Sequence, residues 1–334
     1  MKLRSRKKTL RLCVSAAKTI FVRPYTNKEI IGNWTTLLLA TGNDGSIDYK
    51  KLGDEIDVLI ASDPNGIYSN GTAGEFYTLT EKEFDKTSML LATKCNSSRT
   101  PFQIGVSHPS PQISLQRLKR VKILKPCAVQ VILPDWFPVT LEEAVIFLRK
   151  MEEAAEGISL VLYNPPHAKR RLKPEEWTIL KKQVPSLAGL KVFDQNGNPD
   201  WYAQMRENSA GLSVFIPGHR LASGIKSGAH GAYSNMACLN PFAAQKWYNL
   251  IRKNMEEGLE LESRIGVFMK KIIEPLINVH HYPNHACDRF MAVLGGWADV
   301  GDKLRWPYKS VPREYADEIK KEARTIIPEF FEKF

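Results

Sequence analysis

Between Asn33 and Ile251, short apolar runs rich in β-branched residues alternate with segments that read as helix, eight of each. Apolar runs of this length, bounded by turn residues, read as buried strands. They fall at 33–40, 66–71, 101–108, 128–134, 160–163, 188–193, 212–218 and 231–237. The helices carry their own start signals. Asp48 caps a segment that sets Leu52, Ile56, Leu59 and Ile60 on one face. Thr80-Glu81-Lys82-Glu83 and Thr140-Leu141-Glu142-Glu143 are capping boxes, the second followed by the stripe Leu141, Ala144, Val145, Leu148 and Met151. Lys173-Pro174, Asn198-Pro199 and Asn240-Pro241 place a proline near a first turn, where its missing N–H costs nothing. Residues 112–123 and 221–227 complete the set. Eight strands and eight helices are the count of a (β/α)8 barrel. An open doubly wound sheet is the alternative, but no Gly-x-Gly-x-x-Gly follows the first strand. The expected fold is an α/β chain, a (β/α)8 TIM barrel over 31–255. A basic N-terminal extension, 1–30, precedes it and a C-terminal helical appendage, 256–334, follows it.

In such a barrel the chemistry sits at the C-terminal ends of the strands. Gly71-Thr72-Ala73-Gly74-Glu75, Tyr163 and Gly218 fall there. So does Lys191, between the apolar Leu190 and Val192. Burial disfavours an ammonium and lowers its pKa. The neutral amine that results attacks carbonyl carbon and forms a Schiff base. Tyr163, late in the preceding strand, is placed to move the protons that this chemistry needs. The competing reading is a strand-end lysine whose head reaches water.

Charge and cysteines narrow the classes. The net charge is +11, but residues 1–30 carry nine Lys and Arg against Glu29 alone, which is +8 of it. The rest of the chain is therefore not strongly basic, and nucleic acid is not an expected partner. The 1–30 stretch, acid-free before Glu29, reads either as a solvated basic extension or as an organelle transit peptide. The five cysteines, Cys13, Cys95, Cys127, Cys238 and Cys287, are odd in number and scattered. That argues for a reducing compartment: the cytoplasm, or an organelle matrix if the extension is a transit peptide. No apolar run reaches membrane-spanning length, so no membrane association is expected.

Four motifs together bring a family into view. Gly71-Thr72-Ala73-Gly74-Glu75 with Leu79-Thr80, Tyr163-Asn164-Pro165-Pro166, Gly189-Leu190-Lys191 and Gly228-Ala229-His230-Gly231 stand in the matching strand positions. In order and spacing, over about 31–250, the chain resembles the dihydrodipicolinate synthase/N-acetylneuraminate lyase family. The resemblance implies a Schiff-base lyase for pyruvate or another 2-oxo acid, by aldol cleavage, condensation or dehydration. It implies no cofactor and no metal, and a homotetramer or homodimer. It implies Lys191 as the Schiff-base lysine, Tyr163 as the proton-transferring phenol and Thr72 as the hydroxyl linking Tyr163 to a relay. Gly71, Ala73, Tyr233 and Gly218 are the implied substrate-binding positions.

Three positions depart from the family's synthases. Ala73 lacks the second hydroxyl that many members carry there. Trp136, in Pro134-Asp135-Trp136-Phe137-Pro138, stands where a tyrosine of the synthases crosses the dimer interface. Ala168 stands where those synthases carry an arginine for an aldehyde substrate's carboxylate. A different second substrate is expected, with His167, Lys169 and Arg170 as candidate contacts. The alternative is a barrel that binds or senses a 2-oxo acid without turning it over. Elsewhere, His280, His281 and His285 cluster with Cys287 and Asp288 as a possible metal set, but Pro283 breaks the helix between them. Arg305-Trp306-Pro307-Tyr308 reads as packing of the appendage; His219 and His230 sit near strand ends, where they could line the mouth, but read rather as ordinary residues of the barrel rim.

Overall fold

A computed structural model describes residues 23–332. Its strands are β1 Gly32–Thr36, β2 Gly66–Ser69, β3 Phe102–Gly105, β4 Ala128–Val131, β5 Ser159–Asn164, β6 Leu187–Val192, β7 Ser213–Pro217 and β8 Gly231–Ser234. Each pairs in parallel with the next, and β8 returns to β1, so the sheet closes into a barrel with no free edge. The expected TIM barrel is what the chain forms. The helices between the strands are α1 Tyr49–Ala61, α2 Glu81–Ser98, α3 Pro111–Val121, α4 Leu141–Ala155, α5 Pro174–Gln183, α6 Pro199–Asn208 and α7 Leu221–Ser227. The Asp48 cap and both capping boxes form as read.

Several strands end earlier than their apolar runs, and at two of them a local reason is visible. At β1, the Leu38 N–H leaves the ladder and donates to the buried carboxylate Glu55 at 2.8 Å. At β8, the Ser234 side chain accepts the N–H of Ala237 at 3.2 Å. That cap turns 235–237 into a short helix, α8 Asn235–Leu239, before α9 Pro241–Lys253.

Apolar residues fill two layers. Trp34, Tyr68, Val161, Ala188, Phe215 and Tyr233 fill the barrel interior. Leu52, Ile56, Phe84, Leu118, Leu148, Leu187 and Leu190 form the shell between strands and helices. Along β6 the alternation is broken. Leu160 pairs with Leu187 but Val161 pairs with Gly189, which leaves Ala188 as an extra residue. This bulge reverses the facing of everything after it. Leu187 points to the shell and Lys191, four residues on, points into the barrel.

The appendage is α10 Met255–Phe268, a π turn Met269–Ile273, α11 Glu274–Asn278, α12 Asn284–Gly295 and α13 Ala316–Ile326. It has its own apolar core, shared with α8 and α9 through Trp247, Leu239 and Phe290. Arg289 of α12 fastens it to the rim, donating to Glu75 at 2.7 Å and to the carbonyl of Leu39 at 2.6 Å. Two expectations need correction. The last residues of the basic extension do not stand apart from the barrel. The Tyr25 N–H donates to Cys127 O at 2.8 Å, and Ile30 is fully buried in the barrel interior. Residues 1–22 of that extension, with the transit-peptide reading, lie outside the described residues. His230 is not on the catalytic rim, because it directly precedes β8 and so sits at the opposite end. The packing at Arg305–Tyr308 comes from Arg305, paired with Glu83, and from Tyr308, edge-to-face with Tyr77; Trp306 is exposed.

Candidate active site

A cavity of about 330 Å³ opens at the C-terminal mouth of the barrel, within the usual range of small-molecule sites. Tyr163 and Lys191 are register partners on β5 and β6, so both side chains enter it from one side. Lys191 is half-buried. The cavity reaches its amine, and aromatic rings crowd the rest. Its Nζ lies 4.3 Å from the centre of the Tyr163 ring, 4.7 Å from that of Tyr68 and 5.2 Å from that of Tyr233. It donates a hydrogen bond of 3.0 Å to the Tyr68 hydroxyl. Burial pushes the Lys191 amine down to about 8, against the pull of the acidic Asp288 and Cys238. At pH 7 that leaves about a tenth of the amines neutral, a few hundredfold more than for an ordinary lysine.

The Thr72 hydroxyl donates to the Tyr163 hydroxyl at 3.4 Å, the long end of a hydrogen bond. Burial raises the Tyr163 pKa, Thr72 lowers it and the negative charge of Asp288 raises it. Of the implied substrate-binding positions, Ala73, Gly218 and Tyr233 line the cavity. Gly71 stands behind the wall: a Cβ there would come 2.5 Å from the Tyr68 ring, so the glycine makes room for that ring. His219 also lines the cavity, with burial pushing its imidazole down to about 4 and its backbone N–H held by Asn235.

The residues after the Tyr163-Asn164-Pro165-Pro166 motif divide. His167 reaches the cavity. Lys169 turns away, donating 2.7 Å to the carbonyl of Trp136, and Arg170 pairs with Glu176. Ala168 lines a smaller adjoining cavity of about 150 Å³ that also touches Tyr163 and Thr72. Trp136 is 83% exposed and enters neither cavity. His280 and His281 are exposed, while His285 stacks between Tyr77 and Tyr308. Among the described residues no three His, Cys, Asp or Glu side chains come together as a metal site.

Among the cavity residues that sequence reasoning passed over, Tyr68 and Asp288 bear on the chemistry. Tyr68 sits in a strand too short to show a clear alternation, although a phenol in an apolar run is the same signal that marked Tyr163. Asp288 was read only as a partner of the histidines. It stands on the buried side of α12, facing the cavity, with its carboxyl pushed up to about 7 by burial and held down by Lys191.

The chain matches the family described as the dihydrodipicolinate synthetase family over residues 30–326. It is 29% identical over 223 residues to the 4-hydroxy-tetrahydrodipicolinate synthase of Methylibium petroleiphilum, covering 65% of this chain and 73% of that one. It is 23% identical over 308 residues to the N-acetylneuraminate lyase of Citrobacter koseri, covering 90% of this chain and 99% of that one. In fold it is similar to a prophage protein of the dihydrodipicolinic acid synthase family from E. coli K12, solved in complex with pyruvate. The TM-score is 0.79 at 15% identity, over 89% of this chain and 98% of that one. It is also similar to the sialic acid aldolase of Ruminococcus gnavus, with a TM-score of 0.76 at 18% identity, over 90% of this chain and 98% of that one.

Proposed function

This chain belongs to the dihydrodipicolinate synthetase family, and we propose that it is a lyase that holds pyruvate or another 2-oxo acid as a Schiff base on Lys191. One observation carries the reading. An amine with its pKa down at about 8 lies among three aromatic rings at the bottom of a cavity at the catalytic end of the barrel. Its relatives among curated proteins are lyases and synthases of this family. As the neutral amine, Lys191 adds to the carbonyl carbon, and the carbonyl oxygen leaves as water when the C=N bond forms. Tyr163, beside the amine, moves protons to and from the bound carbon chain, and Thr72 orients its hydroxyl. The substrate carboxylate takes the backbone around Gly71 and Ala73, and Gly218 and Tyr233 border the carbon chain.

The second substrate differs from that of the lysine-forming synthases. Ala168 offers no charge, Trp136 is directed to solvent and Ala73 has no hydroxyl. The exposed Trp136 and Phe137 form the candidate face for a homodimer or homotetramer. The four described cysteines are free and buried, which fits the cytoplasm. The non-catalytic alternative gives no reason for a depressed amine and a phenol on adjacent strand ends. The test is treatment with pyruvate and borohydride, then digestion and mass spectrometry. An adduct on Lys191, absent from Lys191→Ala, is expected. An unlabelled protein, or a label elsewhere, sinks the reading.

A further inference from the structure

Asp288 is the one acid of the cavity, and its position is unusual for a carboxyl. It is 8% exposed, and among the described residues no hydrogen bond or ion pair reaches it. Its carboxylate oxygens are not among the fully buried atoms without a partner; they open onto the cavity, where a ligand can reach them. Lys191 is the charge that acts on it, yet the two are not in contact as an ion pair; both line the same cavity. A 2-oxo acid attacked by Lys191 must stand in this cavity, which Asp288 also lines. The other titratable groups whose charge it meets are Tyr68 on β2, Tyr77 in the turn after β2, Tyr163 on β5, Cys238 on α8 and Cys287 beside it on α12.

We propose that Asp288 is a catalytic acid–base of this site, passing to the departing oxygen of the substrate the proton that Lys191 gives up. The proposal rests on the Schiff-base reading of Lys191. The proton balance closes without any further reactant. The Lys191 ammonium gives up one proton, which reaches the Asp288 carboxylate through water in the cavity, and becomes a neutral amine. The amine nitrogen bonds to the carbonyl carbon, and a proton passes from nitrogen to oxygen to give a neutral carbinolamine. The Asp288 carboxylic acid then protonates its hydroxyl. The C–O bond breaks, water leaves, and the nitrogen lone pair forms the C=N bond. A positive iminium and the Asp288 carboxylate remain in the same cavity. The acid that α12 supplies takes over proton traffic for which Ala73 and the outward-turned Trp136 have no hydroxyl.

The sign of one experiment separates this role from a purely electrostatic one. The negative charge of Asp288 raises the Lys191 pKa. If that were its whole contribution, Asp288→Asn would leave more free amine at pH 7 and speed the reaction with pyruvate. As proton donor, its loss slows that reaction, by about a hundredfold or more. The measurement mixes protein with pyruvate at pH 7, quenches into borohydride at increasing times and counts labelled Lys191 by mass spectrometry. The expected result is slow labelling of Asp288→Asn at an unchanged melting temperature. Asp288→Ala, which leaves space for a small acid, should be slow alone and faster with added formate. Labelling of either variant as fast as the wild type, or faster, overturns the proposal, as does slow Asp288→Ala labelling that formate leaves unchanged. Wild-type protein that takes no label overturns the Lys191 reading instead, so the two failures are distinguishable.

Discussion

The Lys191 amine on β6 donates to the Tyr68 hydroxyl on β2, on the opposite side of the barrel, at 3.0 Å. The contact favours the charged form of the amine, since an ammonium N–H is a stronger donor than an amine N–H. Tyr68→Phe removes the acceptor without emptying the space. One such hydrogen bond is worth about 1 kcal/mol, or about 0.7 of a pH unit. The acid limb of pyruvate-dependent borohydride labelling, expected near pH 8 in the wild type, should therefore move to lower pH by about half a unit to one unit. A limb that stays in place or moves up would show that the phenol does not hold the charged form.

Condensation of pyruvate with aspartate semialdehyde should be poor. Lys169 and Arg170 are committed to Trp136 and Glu176, so neither replaces the charge missing at Ala168. A lost charge-assisted contact costs ~2 kcal/mol or more, and a lost proton-transfer group about a hundredfold. A coupled assay at saturating pyruvate checks this. A kcat/KM at or above about 10⁴ M⁻¹s⁻¹, the ordinary range of enzymes, would refute it.

Glu55 makes stability depend on pH. It is fully buried, one oxygen accepts the Leu38 N–H at 2.8 Å, and the other has no partner. Burial pushes its carboxyl up to about 8, against the Leu38 hydrogen bond and Arg289. In the unfolded chain a glutamate ionises near 4.3. From about pH 4.3 to 8 the folded state keeps a proton that the unfolded state releases, so stability falls as pH rises through that window. Glu55→Gln keeps the shape and the acceptor but cannot ionise. Its melting temperature should fall less than that of the wild type between pH 5 and pH 8. Parallel curves would show that Glu55 is ionised in the fold.

Truncation should distinguish two parts of the N-terminal stretch. A chain starting at residue 23 retains Tyr25 and Ile30, and a chain starting at 31 loses both. Burial of an isoleucine side chain contributes ~1.5–3 kcal/mol. The second truncation should therefore melt clearly below the first. Coincident melts would mean that the closure of the barrel bottom at Tyr25 and Ile30 contributes little.

Much of the architecture was legible because its signals are local. A threonine three residues before a glutamate closes a capping box wherever it occurs, and Thr80–Glu83 and Thr140–Glu143 did so. Strand ends were less legible. Leu38 and Asn235 stand in apolar runs, but a side chain from elsewhere, Glu55, ended β1, and the Ser234 cap ended β8. Asp288 was misplaced among histidines because neighbours in sequence on α12 point to different sides. His285 faces Tyr77 and Tyr308, and Asp288 faces the cavity.

By itself, the sequence determined the alternation of eight strands with helices, their start signals, and the presence of a lysine and a tyrosine near adjacent strand ends. Those follow from the period of apolar residues and from hydrogen bonds closed within a few residues. Tertiary structure decided where the lysine points. Strict alternation from Leu187 would turn Lys191 outward, toward the helices. The extra residue at Ala188, visible only once β5 and β6 are paired, turns it inward beside Tyr163. Closure of the barrel then brought Tyr68 to its amine, and the packing of α12 on the rim brought Asp288 into the same cavity. Such contacts join residues far apart in sequence, and only the folded chain brings them together.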